Sequence, residues 1–173
     1  MEVNIMEINF KGLTVTPNGN GILFKSDTPF YILANRDNFD FCYIKEFDNH
    51  YANLPNMERI LVEDHGISVV TTVEYFEKKY FTNVSVFLDA ELDNITLLNV
   101  YRTITESIAT VAYEHDAINK DELSNKLGNY YNMIYVVCRK KSEKIIAFDI
   151  SLFYEVKELV SKALEQSFNL TKY

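Results

Sequence analysis

The chain has no tryptophan, three histidines, three prolines, five glycines and two cysteines in 173 residues. So few glycines rule out a backbone cradle for phosphate. Gly19-Asn20-Gly21 has turn chemistry without phosphate-loop spacing, and no G-x-S-x-G elbow presents a serine nucleophile. Both cysteines, Cys42 and Cys138, sit inside apolar strand-like runs, where a thiol acts as a small buried hydrophobe, and a reducing compartment is expected. His50, His65 and His115 lie far apart with no His or Cys at ligand spacing, so no metal site is expected. No apolar run reaches the roughly 18 residues of a membrane span, and MEVNIMEINF lacks the charged and apolar regions of a leader. A cytoplasmic protein with no membrane partner is the expectation.

Basic charge is also scarce. Seventeen Lys and Arg against 25 Asp and Glu give a net charge of −8, which repels the polyanion that nucleic-acid binding requires. Arg139-Lys140-Lys141 is the one basic cluster, and it reads as a solvated turn between two strands. No nucleic-acid partner is expected, and a homo-oligomer is left open.

What is present is core-forming material: 47% hydrophobic residues, including 12 Tyr and 12 Phe. A chain of this length buries roughly two thirds of its unfolded surface, so one domain over residues 1–173 is expected.

Residues 2–34 alternate apolar and polar. They predict a hairpin over Leu13 to Lys25 and a third strand after Asp27-Thr28-Pro29. Asn35 to Asn53 fits a strand around Phe41 to Ile44 or a functional loop. Asn56 is placed to cap a short helix from Met57 to Asp64. Ile67 to Val73 is β-branched at almost every position and belongs in a sheet interior. Glu74 to Lys79 reads as a turn, and Tyr80 to Asp89 as the returning strand. Asp93 or Asn94 then caps a helix to about His115, with Leu97, Val100, Ile104, Ile108 and Val111 on one side. Asp116 to Asn129 reads as a connector, Asn132 to Arg139 as a buried strand, and Ile145 to Phe148 as a short edge strand. Asp149 or Ser151 caps a last helix to about residue 168. The sum is an α+β (or α/β) fold: a mixed or antiparallel sheet of roughly five to seven strands with two main helices, about 93–115 and 150–168, packed on one side.

Candidate chemistry concentrates at Thr103-Ile104-Thr105-Glu106. Helical spacing puts Thr103 and Glu106 on one face, where Glu106 can serve as a general base or hold an amide N–H if it is desolvated. The same spacing fits an exposed ion pair with Arg102, the commoner outcome for a helical carboxylate. His50, in Asp48-Asn49-His50, fits a catalytic imidazole or, more commonly, a solvated loop histidine.

The text from Asn83 onward resembles the adenosylcobinamide amidohydrolase family of cobinamide salvage. Members of that family carry a strand opening with Asn-Thr, an Asn-Ala-x-Leu exit and a helix bearing Thr-x-Thr-Glu-Ala-Lys. Here the matching pieces are Asn83-Val84, Asp89-Ala90-Glu91-Leu92 and Thr103-Ile104-Thr105-Glu106-Ser107-Ile108. Phe47-Asp48-Asn49-His50 is similar to the family's Phe-Asn-His element, with one extra residue. The resemblance implies hydrolysis of the amide joining a corrin side chain to its aminopropanol arm. It assigns Glu106 as base, His50 as acid, Asn83 and Thr105 as orienting groups, and Thr103 and Asn49 as substrate contacts. It implies no cofactor, the corrinoid being substrate or ligand. The chain departs from the family where small residues are usual, at Ala34 to Phe39 and Lys126 to Asn132. That departure supports the alternative of a non-catalytic corrinoid-binding or protein-interaction module, with Phe39, Tyr75, Tyr80, Tyr130 and Tyr131 as a contact surface.

Overall fold

The computed structural model describes residues 7–18, 21–35, 39–49, 59–76, 79–115, 132–140, 142, 144–146 and 149–171. The elements are β1 (Leu13–Asn18), β2 (Gly21–Asn35), β3 (Phe39–Asn49), β4 (Ile60–Asp64), β5 (Ile67–Phe76), β6 (Lys79–Leu92), α1 (Asn94–Glu114), β7 (Asn132–Arg139), β8 (Ile145–Ile146) and α2 (Ile150–Thr171). The fold is α+β. Eight strands form one mixed sheet ordered β1-β2-β7-β6-β5-β4, with β3 on β2 and β8 on β6. That is one strand more than the upper expectation; β8 falls within the edge strand expected at Ile145 to Phe148, and the strand that was not expected is β4.

Among the described residues only β6 with β7 and β6 with β8 pair in parallel. A parallel neighbour cannot be reached by a tight turn, so the chain leaves β6, runs through α1 and returns as β7. Tyr31 of β2 pairs with Tyr43 of β3 and with Cys138 of β7, so these strands flank β2 on opposite edges. β1 takes the β7 edge further toward the start of β2.

Alternation along the central strands divides the core. On β6, Val84, Val86 and Leu88 join Leu97, Val100, Ile104, Ile108 and Val111 of α1 and Val156, Val160, Ala163 and Leu164 of α2 in one buried cluster. The intervening Phe87 joins Ile8, Phe10, Phe24, Phe30, Tyr135 and Val137 in a second cluster on the other face. Among the described residues the sheet thus has a helix-bearing face and a helix-free face.

Both helices start at caps readable in the sequence. Asp93 accepts the Thr96 N–H at 2.7 Å, a bond that holds its carboxyl below the ordinary range. Asp149 accepts the Ser151 N–H at 2.9 Å. The helices run side by side in the same direction, since His115 at the end of α1 stacks on Phe168 near the end of α2 at 5.0 Å. Thr71 of β5 ties α2 to the sheet, its hydroxyl lying 3.1 Å from the Ala163 carbonyl and 2.7 Å from the Ser167 hydroxyl.

The helix-free face is covered in part by residues 7–12. Phe10 stands edge-on to Phe30 and Phe87 at 6.4 and 6.3 Å. The Asn9 N–H donates to Glu63 Oε1 at 2.8 Å and the Lys11 N–H to Asp89 Oδ2 at 2.9 Å. Arg139 closes the clasp: Nε reaches Asp89 Oδ1 at 2.6 Å, Nη1 reaches Thr28 Oγ1 at 3.1 Å, and Nη2 donates to the Lys11 carbonyl. Its guanidinium lies 3.9 Å over the Phe10 ring. The solvated turn expected for this residue is therefore corrected: a charged side chain only 11% exposed is held by a carboxylate, a carbonyl and a ring.

Three further expectations change. Ile60 to Asp64 is a strand where a helix from Met57 was expected; residues 57–58 and the cap Asn56 lie outside the described residues. The β4–β5 hairpin is closed by His65 and Gly66 at φ 52° and 77°, the left-handed pair that a two-residue β-turn demands, and Ile60 and Val62 then face one side and Leu61 the other. Tertiary pairing with β5 overrides a local helix reading. Glu74 to Phe76 belong to β5 instead of a turn, and Lys79 already opens β6. Finally, β2 is continuous through Asp27-Thr28-Pro29, with an irregularity between Lys25 and Phe30, where two strands were expected. A proline is tolerated there because the ladder is already interrupted.

Replacing Arg139 by Met removes the donor to Asp89 Oδ1 and to the Lys11 carbonyl, while Asp89 Oδ2 keeps the Lys11 N–H. Because Asp89 keeps 31% exposure, the loss is expected near the low end of a broken buried pair, about 3 kcal/mol. Urea unfolding measures it, and a midpoint within error of the parent protein contradicts the clasp. Gly66→Ala is expected to cost about 1 kcal/mol in the same assay, since alanine is strained at its positive φ.

Candidate functional site

Glu106 lies on the exposed side of α1, where its Oε1 accepts the Arg102 Nε–H at 2.8 Å across one helical turn. Arg102 and Glu106 are 76% and 60% exposed, so water surrounds the pair and screens it. The neighbouring hydroxyls turn back onto their own helix. Thr103 donates to the Asn99 carbonyl at 2.9 Å, and Thr105 donates to the Tyr101 carbonyl at 3.0 Å.

Asn83 is 3% exposed on β6. Its neighbour Val84 packs among the helices, so alternation turns Asn83 to the helix-free face. The sheet therefore separates Asn83 from α1, and the structure does not bring Asn83 together with Glu106, Thr103 or Thr105. Asn49 ends β3, paired with Ile22. His50 lies outside the described residues, as do Tyr130 and Tyr131 and the connector 116–131. Tyr80 is half-buried beside Phe168 at 5.3 Å. It therefore finishes the core rather than presenting a contact surface.

Around Asn83 the sheet assembles a different set of groups. Thr72 of β5 pairs in register with Asn83, and Asn83 with Met133 of β7. Ile60 pairs with Thr71, so Arg59, one residue earlier, comes level with Thr72. Glu74 follows two residues after Thr72 on the same face. Thr72 and Ser85 are 7% and 0% exposed. One row on the helix-free face thus runs Arg59, Thr72, Asn83, with Glu74 at its margin. On the helix-bearing side of the same end, Asn35 fixes the start of β7, donating to the Asn132 carbonyl at 2.7 Å and accepting the Ile134 N–H at 2.6 Å.

The electrostatics of this row are those of removal from water. Burial pushes the Glu74 carboxyl above its ordinary value and the Arg59 guanidinium below its own. Glu74 as a whole is half-buried, and its Oε2 is shut off from solvent and has no hydrogen-bond partner; the Thr72 hydroxyl is in the same condition. Buried polar atoms without partners are rare in a folded chain because each forfeits its hydration without replacement. Ser26 Oγ, Thr96 Oγ1 and His115 Nδ1 also lack hydrogen-bond partners, one on β2 and the others at opposite ends of α1, whereas Thr72 and Glu74 place two such atoms on one face of one strand, where a single bound group can meet both. Cys138, by contrast, is buried with its thiol pushed up to about 12, so it is unreactive. Among the described residues no three His, Cys, Asp or Glu side chains come together as a metal site.

Sequence reasoning placed Glu74 in a turn and so missed it. The available signal was a lone carboxylate two positions after a threonine in an otherwise β-branched run, the spacing that puts both on one face of a strand. No family model, no curated protein and no solved structure matches the chain.

Glu106→Gln is expected to change unfolding free energy by less than about 0.5 kcal/mol, the worth of one exposed helical ion pair. For Glu74 the sign is opposite to that of a salt-bridged acid. Its folded pKa is raised, so ionisation opposes folding, and stability falls as pH rises from the ordinary glutamate value of about 4.3 through the folded one. Glu74→Gln should therefore raise the melting temperature at pH 7 and lose that advantage below about pH 4. Thermal unfolding across pH 3.5–8 checks this, and equal curves at neutral pH contradict it.

Proposed function

We propose that the chain is a ligand-binding module that takes a corrinoid without hydrolysing it, at the Asn83 end of the helix-free face. The observation that carries binding is the pair of buried, unpartnered atoms, Thr72 Oγ1 and Glu74 Oε2, in the row that contains Asn83. The corrinoid identity rests on the resemblance of Asn83 to Ile108 to adenosylcobinamide amidohydrolases. The absence of hydrolysis is supported by Glu106 pairing with Arg102 in water, while Thr103 and Thr105 bond their own helix. A base needs a desolvated position within reach of its substrate, and a solvated, charge-paired carboxylate across the sheet from Asn83 offers neither.

Titrating the protein into adenosylcobinamide while following visible absorbance should give a saturable change with no aminopropanol released. Asn83→Ala should weaken binding by about tenfold or more, as expected when a buried polar contact is removed, and Glu106→Gln should leave it unchanged. Absence of any spectral change or thermal stabilisation rules out the corrinoid. Release of aminopropanol that disappears in Glu106→Gln restores the amidohydrolase reading.

A further inference from the structure

We infer that the Arg59, Thr72, Asn83 and Glu74 row is a site for a neutral carboxamide group, whatever larger molecule carries it. Four observations converge on this chemistry. The Thr72 hydroxyl is more than nine-tenths buried and has no hydrogen-bond partner. Glu74 Oε2, on the same face two residues along the strand, is likewise sealed and unpartnered. Asn83, itself a carboxamide, stands directly across from Thr72. The charged groups on the flanks are of opposite sign, Arg59 level with Thr72 and Glu74 beyond it.

That balance selects the ligand. A carboxylate placed here gains Arg59 but meets Glu74, and an ammonium gains Glu74 but meets Arg59. Either brings an unpaired charge into a place already poor in water, which is the costlier outcome. A carboxamide brings a donor and an acceptor on adjacent atoms and no charge. Its N–H bonds are directed toward the Glu74 carboxyl and its carbonyl toward the Thr72 hydroxyl, which meets the needs of both unpartnered atoms together.

The inference does not rest on the corrinoid reading, because it uses these side chains alone and a small probe tests it. Propionamide, propionate and propylammonium, each added to the full-length protein at matched ionic strength up to about 100 mM, are compared by amide chemical shifts. Propionamide should give saturable shifts at Thr72, Glu74 and Asn83, and the two charged analogues should bind at least about tenfold more weakly, the usual penalty for an unmatched buried polar group. Thr72→Val, which keeps the shape and removes the hydroxyl, should weaken propionamide by about tenfold. Glu74→Leu should do the same, whereas Glu74→Gln, which retains a donor beside an acceptor, should stay within about threefold. No saturable shift, stronger binding of either charged analogue, or indifference to both Thr72→Val and Glu74→Leu overturns the site. A failed corrinoid titration with a positive propionamide result removes the corrinoid and keeps the site.

Discussion

Burial of β6 on both faces is the constraint on which the rest of the molecule depends. Between Thr82 and Leu88 every residue is at most 3% exposed, so each side chain must either fill space or find a partner. Val84, Val86 and Leu88 meet the first demand against α1 and α2, and Phe87 meets it on the opposite face beside Phe10 and Phe24 at 6.3 and 5.0 Å. A central strand sealed in this way fixes its register to both neighbours, because a slip by one residue exchanges its two faces. It also dictates the crossover through α1, since the parallel neighbour β7 has to be reached over the helix-bearing face.

The two faces are sealed by different means. On one, a pair of long amphipathic helices buries a continuous apolar stripe, and the stabilisation is spread over many side chains at about 1.5–3 kcal/mol each. On the other, residues 7–12 lie across the ends of the strands and depend on a few directed bonds. Glu63 and Asp89 accept backbone N–H groups, while Arg139 joins Asp89, Thr28 and the Lys11 carbonyl and covers Phe10. Such a clasp concentrates its energy in one guanidinium, so the helix-free face is the more sensitive of the two to a single substitution.

The functional reading follows from the same division. A polar row within a sealed sheet face is unusual, because hydroxyl and carboxyl groups there compete against dispersion packing and lose hydration. Where Ser85 and Asn83 are almost wholly buried and Thr72 and Glu74 still hold atoms without partners, the chain sacrifices stability locally. Sacrifices of that kind recur where a protein is arranged to meet a ligand rather than itself. The α1 surface shows the reverse: every polar group from Thr103 to Thr110 that carries a hydroxyl or carboxylate is matched within the helix.

The sequence by itself determined the elements whose signals are local and periodic. The α1 stripe from Leu97 to Val111, the helix starts at Asp93 or Asn94 and at Asp149 or Ser151, and the run Asn132 to Arg139 could all be read directly, because a 3.6-residue period, a capping side chain and a β-branched run each reflect forces acting over a few neighbouring residues; the structure chose Asp93 and Asp149 as the caps. The apolar character of β5 and β6 was equally plain. Only the tertiary structure decided what depends on partners distant in the chain: that Ile60 to Asp64 is a strand paired with β5, and that Arg139 is held by Asp89 and Phe10 instead of water. It also decided that Asn83 faces away from Glu106, because a strand's alternation states which residues share a face but not which face the helices will cover. The same long-range pairing set Glu74 beside Thr72 and Asn83 and shielded its Oε2 from water, a property carried by no residue alone.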